Sequence, residues 1–218
     1  VSKKIAQLSK LKKLRLTDNK ISDITPICSV RSLIELEIGR NDIKSIPDEI
    51  GNLKKLRKLD LGNIFFSNEI ENVSNQIGLL EDLEFLTIHG ARLVVLAEPF
   101  GELAKLRKLS IRNSQVNEIR FDFDQLQDLE VLDFTNNNIS SFPQNLSKAV
   151  NLKSIYIDNN PINEIPDSIL NLPKLKIFGI SGTQVDLDSI ESYKRKYPNI
   201  KFLTANSYFT ETFKRNNA

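Results

Sequence analysis

The sequence predicts an α/β solenoid in which one long parallel sheet runs through the whole molecule. The main observation is a phrase, LxxLxLxxNxL, that recurs from near the N-terminus almost to the C-terminus. The leucines that open it are Leu11, Leu33, Leu56, Leu83, Leu106, Leu129, Leu152 and Leu175. They are separated by 22, 23, 27, 23, 23, 23 and 23 residues. Because self-similarity at such a period is the signature of a solenoid, about eight stacked repeats plus terminal caps are expected.

Two different apolar spacings within each copy predict a short strand followed by a return segment. In the seventh copy Ile155 and Ile157 lie on either side of Tyr156, which predicts a strand with one apolar face. The apolar residues that follow recur at intervals of three and four, as on one edge of a helical or 3₁₀ segment: Ile162, Ile165, Ile169 and Leu172. Stacking of the copies should bury the apolar strand face, so the pair in every copy, from Leu14 and Leu16 onward, is expected in the core.

The repeated phrase and a recurring Ile-Pro or Phe-Pro dipeptide resemble the leucine-rich repeat family. The dipeptide occurs at Ile46-Pro47, Phe142-Pro143 and Ile165-Pro166. Its IPxxI form resembles the 23-residue repeats of bacterial proteins and of cytosolic Ras-pathway scaffolds. The resemblance implies a leucine-rich repeat horseshoe with a concave parallel β-sheet. It also implies that the Asn of each phrase, such as Asn160, binds backbone groups of the turn, a role that suits a short amide side chain.

The two ends of the chain depart from the repeat and divide it into three parts. Residues 1–10 are interpreted as the end of a preceding repeat or as an N-terminal cap, because Ile5 and Leu8 match apolar residues that precede later copies. Residues 11–185 hold the repeats. Residues 186–218 are expected to form a C-terminal capping helix, a strand and a polar tail, since the last repeat needs a cover for its core.

The pattern is interrupted in the middle of the chain. The third copy is four residues longer than its neighbours, and Ile64 occupies the position of the Asn. Other residues also replace the Asn in three later copies: Ala91, Ser114 and Thr183. Two interpretations follow. The extra residues form a bulged return loop of no consequence, or Phe65 and its neighbours form an exposed edge for a partner.

Composition and charge exclude several classes of protein. The 30 basic and 28 acidic residues are interleaved, so the basic face typical of nucleic-acid-binding proteins is not predicted. No apolar stretch approaches the roughly 18 residues that indicate a membrane span, and the first residues do not resemble a signal peptide. The single cysteine, Cys28, excludes the disulfide-bonded caps of many secreted animal leucine-rich repeat proteins. A bacterial or a cytosolic eukaryotic protein is therefore favoured.

Residues that could perform catalysis or hold a cofactor are sparse. His89 is the single histidine and has no cysteine at ligand spacing, so no metal site is predicted. Cys28 lies among apolar residues with no nearby base, where a buried small side chain is expected. The sequence contains no GxGxxG, GxxxxGK[ST] or GxSxG motif. We therefore expect a binding module without a cofactor, and not an enzyme.

Three functions are compatible with these observations. The first is a protein-recognition scaffold of a bacterium, secreted or on the cell surface, that engages a host or neighbouring protein. The second is a cytosolic signalling scaffold of the Ras-pathway type, and the third is a structural or targeting array attached to another functional domain. Solenoids that bind glycans use aromatic platforms, and the lack of tryptophan disfavours a glycan partner.

The concave face of the sheet is the predicted binding surface. In the first copies, residues of opposite charge occupy adjacent positions, such as Lys13 beside Glu35 and Arg15 beside Glu37, and are expected to pair. From the fourth copy on, the same positions carry Phe85, His89, Arg112, Val131, Tyr156 and Ile177. Aromatic residues and arginine often anchor interfaces, so a protein partner is predicted to dock here. The alternative is a set of scattered surface hydrophobic residues.

Overall fold

A computed structural model describes residues 1–62 and 69–204 of the chain, and nine of its strands form a single parallel sheet. The strands follow one another in chain order across the sheet. They are β1 Lys13–Arg15, β2 Glu35–Glu37, β3 Lys58–Asp60, β4 Phe85–His89, β5 Lys108–Arg112, β6 Val131–Asp133, β7 Ser154–Tyr156, β8 Ile177–Gly179 and β9 Lys201–Leu203. This arrangement confirms the solenoid with a parallel sheet that the repeat predicted.

Short helical segments and two pairs of two-residue strands return the chain from one sheet strand to the next. The 3₁₀ helices are Lys3–Gln7, Asp48–Asn52, Asn75–Leu79, Glu98–Glu102 and Leu146–Lys148. The α-helices are α1 Thr25–Cys28, α2 Asp167–Leu170 and α3 Leu187–Lys196. The outer strand pairs are Ser45–Ile46 with Asn72–Val73 and Val95–Leu96 with Glu118–Ile119. No helix of the described part of the chain is long and apolar enough to cross a membrane.

The core is one continuous apolar cluster between the sheet and the return segments. Equivalent residues stack in register, so that Leu132 pairs with Ile155, and Ile155 with Phe178. The predicted burial of the apolar pair of each copy is confirmed from β2 to β8, where no residue of these pairs is more than 2 % exposed. It is wrong for Leu14 and Leu16, which are only partly buried because β1 is the edge strand of the sheet.

The asparagine of the repeat binds the turn that follows the strand, as the resemblance implied. Asn137 Nδ2 donates to the carbonyls of Ile111 and Phe134 at 2.8 and 2.9 Å, and its Oδ1 accepts from Val116 N at 3.2 Å. Asn41, Asn137 and Asn160 each tie their own turn to the preceding repeat in this way. Ser114 makes two hydrogen bonds in place of an asparagine. Its Oγ accepts from Ala91 N of the preceding repeat and donates to the Arg112 carbonyl of its own strand.

The residue before the asparagine position turns the chain with a positive φ. Asparagine tolerates this left-handed conformation better than most residues do. The described residues that adopt it are Asp18, Arg40, Gly90, Asn113, Asn136, Asn159 and Gly182. At Gly182 a Cβ atom would lie 2.0 Å from Asn159 Oδ1, so glycine also makes room for the neighbouring turn.

Helix α3 and strand β9 cover the last repeat. Asp186 caps the helix by accepting a hydrogen bond from Ser189 N at 2.8 Å. Tyr193 stacks on Phe202 with ring centroids 6.4 Å apart, and Phe202 lies 6.1 Å from Phe178 of the core. These contacts close the C-terminal end of the apolar cluster. The tail of the predicted cap, from residue 205 onward, lies outside the described residues, as do residues 63–68, on which the two interpretations of Phe65 and its neighbours depend.

Candidate functional site

The face of the sheet that is turned away from the core carries three columns of side chains, to which each of the eight repeats from β1 to β8 contributes one residue per column. Column one contains Lys13, Glu35, Lys58, Phe85, Lys108, Val131, Ser154 and Ile177. Column two contains Arg15, Glu37, Asp60, Thr87, Ser110, Asp133, Tyr156 and Gly179. Column three, two residues further along each chain segment, contains Thr17, Gly39, Gly62, His89, Arg112, Thr135, Asp158 and Ser181. Neighbours within a column are about 4.8 Å apart.

The N-terminal part of this face is covered by ion pairs, as expected from the alternation of charge. Lys13 Nζ lies 2.6 Å from Glu35 Oε1, and this ammonium lowers the pKa of the Glu35 carboxyl. Glu37 is shared between Arg15 at 2.9 Å and Lys58 at 2.7 Å. The Lys13 and Arg15 side chains are largely solvated and the other partners keep some exposure, so the pairs contribute little stability and leave the surface hydrophilic.

From β4 to β8, column one alternates apolar residues (Phe85, Val131 and Ile177) with polar ones (Lys108 and Ser154). Phe85 is 36 % exposed, which makes it the most accessible aromatic residue of the described sheet. Val131 and Ile177 are half-buried, and Lys108 lies between Phe85 and Val131 in register. Three of the six predicted site residues therefore present apolar surface to solvent in one column.

Tyr156 and His89 are not exposed in the way that the sequence suggested. Each is only 7 % exposed, because glycine neighbours allow close approach. A Cβ atom on Gly179 would lie 2.9 Å from Tyr156 Cδ1, and one on Gly62 would lie 2.8 Å from His89 Cγ. Both rings thus fill the space above a glycine of the adjacent strand and pack within the face.

His89 is a neutral, internal group of the face. Its Nε2 lies 3.0 Å from Ser110 Oγ, while its buried Nδ1 has no hydrogen-bond partner among the described residues. Burial, with a further contribution from the Arg112 guanidinium, lowers the pKa of His89 to about 4. The imidazole is therefore uncharged at neutral pH and cannot act as a cationic anchor.

Arg112 is committed to an internal ion pair with Asp133. Its Nε lies 2.7 Å from Asp133 Oδ2, and its Nη2 also binds that oxygen. The side chains are 11 % and 1 % exposed. Thr135 donates to Asp133 Oδ1 from its backbone N at 3.1 Å and from its hydroxyl at 2.8 Å. Asp158, fully buried, accepts from Ser181 N at 3.0 Å and extends the polar layer.

The structure separates the predicted site residues into two groups. Phe85, Val131 and Ile177 form the accessible column, whereas the other three support it from within. Sequence reasoning missed the buried carboxylates Asp133 and Asp158. A signal was present, because Thr, Ser and Arg occupy the adjacent outward positions and can donate hydrogen bonds to them.

No cluster suited to a metal ion or a reactive nucleophile occurs in the described ranges. No group of three or more His, Cys, Asp or Glu side chains there could hold a metal. Cys28 is fully buried, and burial raises the pKa of its thiol to about 12. The thiol is therefore protonated at neutral pH and points into the core from the last residue of α1.

Comparisons with known proteins point to one repeat family. The family model described as "Leucine rich repeat" matches residues 9–63 and 104–162, which together make up just over half of the chain. A leucine-rich repeat protein of Leptospira interrogans superposes with a TM-score of 0.70 and 22 % sequence identity, over 93 % of this chain and 57 % of that one. This chain therefore spans less than two thirds of that protein.

Two further solved structures have the same fold. Internalin C2 of Listeria monocytogenes has a TM-score of 0.61 and 24 % identity, over 92 % of this chain and 74 % of the other. The plant peptide hormone receptor RGFR1, solved in complex with RGF2, has a TM-score of 0.66 and 23 % identity, over 94 % and 38 %. At these identities the likeness concerns the fold.

Proposed function

Because this chain belongs to the leucine-rich repeat family, we propose that it is a non-enzymatic scaffold that binds a protein partner on its concave face. The observation that carries the proposal is column one from β4 to β8, where Phe85, Val131 and Ile177 present apolar surface on alternate strands of a rigid sheet. Exposed apolar side chains grouped on one face often mark protein interfaces. The flanking ion pairs supply a polar rim of the kind that surrounds such contacts, and Lys108 lies between Phe85 and Val131.

The rigidity of the surface supports this function. The strands of the face are joined by backbone hydrogen bonds, and its inner layer is held by the Arg112–Asp133 pair and by His89. A preorganised surface loses little conformational entropy when a partner binds, so its contacts contribute more fully to affinity. The solved plant receptor RGFR1, in complex with RGF2, provides an example of this fold in a complex.

The proposed context is that of a bacterial secreted or surface protein that engages a host or neighbouring protein. Two of the similar solved structures are bacterial leucine-rich repeat proteins, from Leptospira and Listeria. The single cysteine, buried in the last position of α1, agrees with a repeat protein that has no disulfide-bonded caps.

The test is to recover a partner and to measure which surface it needs. Purified protein is used to capture binders from bacterial and host lysates, and their affinities are then measured for Phe85→Ala and Ile177→Ala. Each substitution is expected to weaken binding by about 1–2 kcal/mol, as for residues near the centre of an interface. Tyr156→Ala is unsuitable here, because that ring is packed within the face.

Val94→Ala and Val150→Ala are matched controls, since these valines are 45 % and 42 % exposed and lie outside the sheet strands. They are expected to leave affinity unchanged. If the control variants lose binding while the Phe85 and Ile177 variants keep it, the partner uses another surface and the proposal is wrong.

A further inference from the structure

Two charged side chains near the centre of the face take part in no ion pair among the residues that the structure describes: Lys108 in column one and Asp60 in column two. Their neighbours behave differently, since Lys13, Arg15 and Lys58 pair with glutamates and Arg112 pairs with Asp133. Asp60 accepts a hydrogen bond from the backbone N of Gly62 at 3.1 Å, which satisfies one of its oxygens.

Both groups are also partly removed from water. Burial lowers the pKa of the Lys108 ammonium, and the Arg112 guanidinium lowers it further. Burial raises the pKa of the Asp60 carboxyl. Opposite charges act on both groups only from beyond ion-pair distance: Asp133 and Asp60 on Lys108, and Lys58 and Lys108 on Asp60. A charged group that loses part of its hydration without a counter-charge in contact destabilises the folded chain, and a counter-charge from outside would restore what was lost.

The position of the two charges around Phe85 defines a pattern. Phe85 is paired in register with Lys108 on one side and with Lys58 on the other, and Asp60 is paired with Thr87 of the same strand as Phe85. The cation and the anion thus lie on strands β5 and β3, on either side of the exposed aromatic ring. Two strand spacings of about 4.8 Å and two residues along the strand place their backbones about 12 Å apart.

We propose that Lys108 and Asp60 select the partner by charge: the partner presents an acidic side chain to Lys108, a basic side chain to Asp60, and an apolar side chain to Phe85 between them. This inference rests on the proposed function and adds the chemistry of the partner to it. In an extended segment the acidic and basic residues would be four positions apart, since the rise is about 3.3 Å per residue and only every second side chain points to the same side.

The order of the charges would set the orientation of the partner. A segment that binds in the opposite direction would place its basic side chain against Lys108 and its acidic side chain against Asp60. Like charges brought together at a partly desolvated contact are disfavoured, so the two unpaired groups reject the reversed orientation as well as stabilise the correct one.

The probe for the test is a phage-displayed library of random 12-residue peptides, selected on the complete chain. Peptides are kept when their binding is lost in the Phe85→Ala variant, which restricts the set to those that use the predicted surface. The expected result is enrichment of sequences that contain an acidic residue and a basic residue four positions apart, with an apolar residue midway between them.

Affinities of one enriched peptide are then measured for Lys108→Gln and Asp60→Asn. Each substitution is expected to lower the affinity about tenfold, because a hydrogen bond to a charged group is lost. Lys13→Gln is the matched control: it removes a column-one lysine that is paired with Glu35 and lies at the edge of the sheet, and it should change the affinity less than about twofold. Melting temperatures of the variants separate lost binding from lost folding.

A charge swap completes the experiment. Lys108→Glu should abolish binding of the enriched peptide, and replacing the acidic residue of that peptide by Lys should restore it at least in part. If Phe85-dependent peptides carry no such charges, or bind Lys108→Gln and Asp60→Asn as tightly as the unchanged protein, the charge inference is wrong while the proposed function stands. If no peptide depends on Phe85, both are overturned.

Discussion

Replacement of Asn137 by alanine should destabilise the protein by an amount that follows from its hydrogen bonds. The amide lies in a buried position, 5 % exposed, and it serves several backbone groups. Its loss leaves Val116 N and the Ile111 carbonyl without their side-chain partner. The Phe134 carbonyl is protected, because Asn160 Nδ2 also donates to it at 2.8 Å.

Two orphaned backbone groups therefore determine the expected loss for Asn137→Ala. A buried group that loses its partner costs about 1–3 kcal/mol, so the free energy of unfolding should fall by about 2–4 kcal/mol, with some relief where water reaches the turn. Urea unfolding followed by far-ultraviolet circular dichroism measures the loss as a lower midpoint at constant slope.

Asn19→Ala provides the matched control for this prediction. Asn19 occupies the same position of the first repeat, but it is exposed and donates to the carbonyls of Leu16 and Thr17 at 3.0 and 3.1 Å. Water can replace these bonds, and Asn41 also donates to the Leu16 carbonyl, so the loss should stay below about 1 kcal/mol. If the two variants lose equal stability, or if Asn137→Ala loses less than about 1 kcal/mol, burial of the turn does not determine the cost and the reasoning is refuted.

Three further predictions concern the core and the two titratable groups buried in it or beside it. Ile155→Ala should cost about 2–5 kcal/mol in urea unfolding, because the side chain is fully buried between equivalent residues of two neighbouring strands, and a loss under about 0.5 kcal/mol would contradict that placement. Cys28 should resist iodoacetamide at pH 8 in the folded protein and react after unfolding, because its thiol is buried and has a pKa raised to about 12; rapid alkylation of the native chain would contradict this. The lowered pKa of His89, about 4 against 6.5, means that the unfolded chain takes up the proton first, so stability should fall as the pH decreases from about 6.5 to about 4, and His89→Gln should remove this part of the pH dependence. A proton NMR titration of the imidazole with a midpoint near 6.5 would refute the last prediction.

The sequence by itself determined the fold, because its separate apolar patterns all predict the same stacked arrangement. The leucine phrase, the alternation around Ile155 and the three-and-four spacing of the return segments all place apolar residues on the side where neighbours stack. A solenoid contacts itself mainly through adjacent copies, so a local pattern is enough to predict the sheet and its register. The exception at Leu14 and Leu16 arises because the edge strand has a neighbour on one side only.

The sequence also indicated which face could bind, but not which side chains on it are accessible. The outward position of Phe85 and of Tyr156 follows from the same alternation, yet one ring is 36 % exposed and the other 7 %. The difference depends on the residue of the adjacent strand: Gly179 leaves a space that Tyr156 fills, while Phe85 has lysines in register on both sides.

Only the tertiary structure decided how the charges of the face are used. Arg112 and Lys108 are both outward cations of β5, four residues apart, and the sequence offers no way to rank them. In the folded chain Arg112 forms an ion pair with Asp133 of the next strand. Lys108 lies in register between Phe85 and Val131, which carry no charge. The sequence shows which residue is charged, but the counter-charge lies on a neighbouring strand more than twenty residues away along the chain. The register of the sheet determines which residue of that strand comes close enough to pair.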